Sequence, residues 1–130
     1  MKLNVVVILL LTLLSIGCGY KSPATMPAQP GVTPAISQLA PDNANSGDPG
    51  FTLTVNGTHF ASDAVVNFNG AKMATTFVSA SQVMAAVPSS AIAMSGTMPV
   101  TVTNPGTAAT GPYGGGTMSE TSPATNFTVN

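Results

Sequence analysis

One cysteine, one histidine, three aspartates and one glutamate are the thiol, imidazole and carboxylate groups this sequence offers for acid, base, nucleophilic or metal chemistry. His59 and Asp63 stand four apart with Ser62 beside them, which raises the idea of a Ser-His-Asp triad. His59 sits in "NGTHF", a turn-like stretch, and the chain has no Gly-x-Ser-x-Gly elbow to expose a serine nucleophile. A surface turn histidine is the plainer reading. A glycosidase needs two placed carboxylates. The whole stock is Asp42, Asp48, Asp63 and Glu120, and all four fall in expected loops. Asp42 and Asp48 in "PDNANSGDPG" could offer oxygens to calcium, but the spacing is not that of an EF-hand. Asp and Asn are also what turns demand. Zinc lacks ligands, with one histidine and one cysteine to draw on. The expectation is therefore no catalytic residue, no metal and no cofactor.

Charge excludes a further class. Three lysines and no arginine cannot build the basic patch that grips phosphates, so no nucleic-acid partner is expected. A single cysteine permits no internal disulfide, so the core alone must hold the fold.

The cysteine has its own context. Lys2 is followed by the apolar run "VVVILLLTLL", Val5 to Leu14, then "SIGCGY". That run is shorter than the roughly 20 apolar residues a membrane-spanning helix takes. It reads as a secretory signal peptide, residues 1–17. The stretch Ser15, Ile16, Gly17, Cys18 resembles the lipobox of bacterial lipoproteins. In that motif the signal is cut just before a cysteine whose thiol is diacylated with chains such as palmitate. Gly17 and Cys18 match, whereas Ser15 stands where leucine is most frequent. The resemblance implies that Cys18 is a lipid attachment point and the membrane the chain's first partner. It implies residence in the bacterial cell envelope, on the outer membrane if the cell is Gram-negative, facing the periplasm or the surface. The alternative is a plain signal peptide cut near Gly17 or Gly19, which leaves a free thiol. Two acyl chains suffice for stable anchoring, at about 0.8 kcal/mol per buried CH₂.

Residues 18–34 are proline-rich, with Pro23, Pro27, Pro30 and Pro34 recurring every three or four positions. Each fixes its own φ and pushes its predecessor to extended geometry. At about 3.1 Å per residue such a tether would lift a domain roughly 50 Å from the lipid.

Residues 35–130 alternate with period two. A first strand near Ile36–Leu39 precedes "FTLTV", which puts Phe51, Leu53 and Val55 on one face. Val66 and Phe68 follow, then Asn69-Gly70 as a hairpin signal. Met73, Thr75 and Phe77 form another such face, as do Val83, Ala85 and Val87. Met98, Val100 and Val102 make one more, and Phe127 and Val129 close the chain. Asn56-Gly57 and Asn104-Pro105 read as turns. Met73, Met84, Met94 and Met98 read as core or strand filler. About seven short strands in this length predict an all-β, immunoglobulin-like β-sandwich.

The spacing of Ile36, Leu39, Pro41, Gly50, Gly57, Phe60, Val66, Phe68 and Gly70 resembles the opening of an IPT/TIG domain. "TTFVSASQVMAAVPSS" and "GTMPVTVTNPG" resemble its later strands. The resemblance implies an early-set sandwich. It leaves function wide, because fold does not fix it. The expected role is a non-enzymatic, lipid-anchored envelope protein that displays one such domain for binding or scaffolding, with a protein or glycan partner. The alternative is a carbohydrate-binding surface module that uses the loop over residues 104–123. There Tyr113 beside Gly114, Gly115 and Gly116 could set an aromatic face against a sugar. A floppy insertion is the plainer reading of that loop.

Overall fold

Alternation along the chain becomes two faces of two sheets in the computed structural model, which describes residues 28–109, 112 and 114–130. The strands are β1 (Ala35–Ala40), β2 (Asn43–Ala44), β3 (Phe51–Thr58), β4 (Val65–Phe68) and β5 (Ala71–Lys72). They continue with β6 (Ala74–Ser79), β7 (Gln82–Val87), β8 (Gly96–Asn104), β9 (Glu120–Thr121) and β10 (Thr125–Val129). One sheet has the order β1-β3-β7-β6, and the other runs β2-β10-β8-β4-β5 with β9 also on β8. Every pairing is antiparallel except β2 with β10. The expected immunoglobulin-like sandwich is what forms. All seven expected strands are present, and the two-residue strands β2, β5 and β9 join them.

The inward faces are the ones the alternation marks. Leu53, Val55, Val66, Val83, Val100 and Val102 are fully buried. Phe127 stacks on Phe51 at 5.5 Å between ring centroids and meets Phe68 edge-on at 5.3 Å. Aromatic pairs in these geometries contribute about 0.5–1.5 kcal/mol beyond burial itself. Asn69 (φ 50°) and Gly70 (φ 81°) make the β4–β5 turn, with both residues in the left-handed region that a tight hairpin requires.

Four expectations need correction. Asn56-Gly57 is not a turn: both residues lie inside β3, and Gly57 pairs with Ile36 of β1. A Cβ at Gly57 would run into the Ala35 carbonyl oxygen, so the glycine is there to let β1 pass close. Phe77 shares a face with Met73 and Thr75 but stays 39% exposed, because β6 is the outermost strand of its sheet. Met94 is exposed rather than filler, in the connection after a 3₁₀ turn at Ser89–Ile92 that buries Ile92 instead. The 104–123 connection is not one open loop. β9 pairs with Thr103 and Asn104, and Ser122 exchanges two hydrogen bonds with Val102. β9 and β10 are thus one interrupted strand laid along β8.

Candidate functional site

The two ends of the sandwich are built differently. At one end, where residues 28–34 lead into β1, a side chain outside the expected site residues organises the structure. Asn104 is the last residue of β8 and continues the inward series Met98, Val100, Val102. It is 7% exposed. Its Oδ1 accepts from Ala61 N at 2.9 Å, and its Nδ2 donates to Val32 O at 2.9 Å and to His59 O at 2.7 Å. A buried amide must be paired in this way. The signal was available in the period-two pattern, which turns Asn104 inward and demands partners for it.

The same end holds the base of the 104–123 connection. Thr107 and Thr117 bond through backbone and hydroxyl groups, at 3.0 Å from Thr107 N to Thr117 Oγ1. Gln29 N donates to Gly116 O at 3.0 Å, and Met118 N donates to Gln29 O at 2.8 Å. Thr33 Oγ1 donates to Glu120 Oε2 at 3.3 Å. The last residues before β1 are therefore laid against this connection. A cleft of about 400 Å³ lies between them, lined in part by Pro30, Asp63, Asn104 and Met118. Gly114, Gly115 and Gly116 all have positive φ, in keeping with a tightly bent segment. Tyr113, the proposed ligand contact, lies outside the described residues, and so does Cys18.

The opposite end is made of short connections. Asp48 Oδ2 accepts from Asn45 N at 2.9 Å, and Asp42 Oδ1 accepts from Asn43 Nδ2 at 2.7 Å. Both aspartates do the turn work that their neighbours require. Two open clefts share Gly50 and Phe51. One, of about 530 Å³, adds Thr52, Lys72, Met73, Ala74 and Pro88. The other, of about 370 Å³, adds Pro41, Asn43, Asn45 and Asp48. The larger cleft forms across strand ends far apart in sequence, which is why the sequence pattern gave no sign of it; the smaller lies within residues 41–51.

No catalytic arrangement emerges among the described residues. His59 is exposed, has φ 60°, and contributes its backbone carbonyl to Asn104. No hydrogen bond joins it to Asp63 or to Ser62 among the described residues, so the triad idea finds no geometry. The four carboxylates are split between the two ends. No group of three or more His, Cys, Asp or Glu that could hold a metal occurs among the described residues. No helix among them is long and apolar enough to cross a membrane.

The family model described as "IPT/TIG domain" matches residues 34–127. No curated protein and no solved structure matches the chain. Domains of this kind are typically non-catalytic, immunoglobulin-like binding or scaffolding modules. With the two-sheet sandwich and the matched span taken together, this chain belongs to the IPT/TIG domain family.

Proposed function

We propose that this is a non-enzymatic lipoprotein of the bacterial cell envelope, held to the membrane by acyl chains on Cys18 and displaying one IPT/TIG domain for binding or scaffolding. The observation that carries the reading is the order of parts in the sequence. An apolar run, Val5–Leu14, ends at Gly17-Cys18, prolines space the next residues, and the sandwich follows. Each part suits the next: secretion, attachment, clearance, display. The sparse and scattered ionisable groups favour a module that binds over one that reacts.

The arrangement of the domain adds direction. The tether reaches the sandwich at the Asn104 end, which is knitted by internal hydrogen bonds. The opposite end, with the Phe51 clefts, then points away from the lipid. A glycan-binding role for the 104–123 connection is the second reading, favoured by Tyr113 next to three positive-φ glycines. Loss of glycan binding on Tyr113→Ala would support it, and binding untouched by that change would remove the site.

The test is protease shaving of intact cells that carry a C-terminally tagged copy, with Cys18→Ser as control. The anchored reading expects the tag in the membrane fraction for the native chain and in the soluble fraction for the variant. Equal partitioning of both would overturn it. Shaving assigns the leaflet: loss of the tag from intact cells means the surface, and survival until the outer membrane is opened means the periplasm.

A further inference from the structure

The family match begins at residue 34, yet the chain is bonded to the domain from Gln29 onward. Gln29 uses both of its backbone groups. Its N–H donates to Gly116 O and its carbonyl accepts from Met118 N, which makes a parallel bridge to Thr117. Val32 O accepts from Asn104 Nδ2, and Thr33 Oγ1 donates to Glu120 Oε2. Between them Gly31 passes so close that a Cβ on it would run into the Met118 carbonyl oxygen and stand 3.0 Å from Glu120 Cγ. Glycine is what admits that approach. Pro30 and Pro34 each fix their own φ, so less chain freedom is lost when the segment is laid down.

The hold is one of backbone rather than of buried side chains. Pro34 is fully buried and pins one end of the segment, whereas Val32 is 61% exposed, and Gln29 and Pro30 are exposed too. Little apolar burial therefore resists lifting residues 29–33 away. What they lie against depends on them in turn. Thr107 and Thr117 pair through backbone and hydroxyl groups, with Gly106 and Gly116 letting the two stretches meet. Among the described residues, the hydrogen bonds of residues 105–119 run to one another or to Gln29. Gln29 is thus the described link that fastens this paired stretch to the chain ahead of β1.

We propose that residues 29–33 are a strap that locks the paired Thr107–Thr117 stretch against the sandwich, so that displacing the strap frees that stretch and opens the cleft between them. That cleft has Pro30 and Val32 on one wall and Thr107 and Met118 on the other. The coupling is reciprocal: whatever moves Thr117 and Met118 must also loosen the strap, because the same two bonds at Gln29 serve both. The strap also sets the length of the spacer. While it is down, the free chain ends near residue 28. Lifted as far as the buried Pro34, it returns residues 29–33 to the spacer, roughly 15 Å of added reach. The lock on Thr107–Thr117 does not rest on the lipid anchor; only the meaning of the added reach does.

The test is amide hydrogen exchange followed by NMR on the full chain in detergent micelles. Gly31→Val pushes the strap off the Met118 carbonyl, and Gln29→Pro removes the N–H that reaches Gly116 O. Asp48→Ala, at the opposite end, is the control. The expected result is exchange at least about tenfold faster at Thr107, Thr117 and Met118 in both strap variants, with β3 and β7 as protected as in the native chain and the control. If Gly31→Val also loosens β3 and β7, Gln29→Pro decides by the same criterion, because its position is exposed. Faster exchange at Met118 alone, or at none of the three, would overturn the proposal, since the strap would then hold nothing but itself.

Discussion

The Asn104 end and the far end of this sandwich solve the same problem, closing off strand ends, by different means. At the first of these ends one buried amide, Asn104, gathers backbone groups from residues 32, 59 and 61. Glycines there let backbones approach where any side chain would collide: Gly57 against Ala35, Gly106 against Thr117 and Gly116 against Thr107. At the far end side chains serve their own turns, as Asp48 does for Asn45, and single backbone bonds tie the connections to distant segments, as from Ser46 N to Asn130 O, Gly47 N to Ile92 O and Asn69 N to Pro99 O. Nothing lies within 4 Å of a Cβ placed on Gly47 or Gly70. The difference teaches which end can vary. A network with buried members fails as a unit. Local turns around open clefts can change without disturbing the core, which is what a presenting surface needs.

Four substitutions can break or sharpen this contrast, each read by urea or thermal denaturation. Gly57→Ala should cost the most, about 3 kcal/mol, because β1 must separate from β3 to admit the methyl group. Asn104→Ala should follow at about 2–3 kcal/mol, since it leaves the Ala61 N–H and the carbonyls of Val32 and His59 without their partner. Gly70→Ala should cost about 1–2 kcal/mol, from the penalty of a side chain at positive φ in open space. Asp48→Ala should cost about 0.5 kcal/mol, the loss of one bond in a solvent-facing turn. If Asp48→Ala proved costlier than Asn104→Ala, the two ends would not differ as described. If the order holds, the far end is the place to search for partner contacts.

The strands were legible because their burial is local and periodic. Phe51, Leu53 and Val55 or Val83, Ala85 and Val87 need only a sheet above them, and any sandwich provides one. The hairpin at Asn69-Gly70 was legible because the turn selects those residue types. Asn56-Gly57 has the same look and misled, because a glycine that makes room for a neighbouring strand cannot be told from a turn glycine without the neighbour. Phe77 misled for a related reason: its alternation is regular, but position at a sheet edge is a property of topology. The turn role of Asp48 was legible; for Asn104 the alternation shows only that it turns inward, because its partners lie 43, 45 and 72 residues away. The larger Phe51 cleft draws on residues near 50, 73 and 87 and had no sequence signature.

The proposed function depends on Cys18 being a point of attachment to a membrane. The most direct test is the intact mass of the mature protein purified from a bacterial host, with its N-terminal peptide sequenced by mass spectrometry. The account predicts a chain that has lost residues 1–17 and begins at Cys18, with the mass of fatty-acyl chains on that residue. A chain cut elsewhere, or one that carries Cys18 as an unmodified thiol, would contradict it.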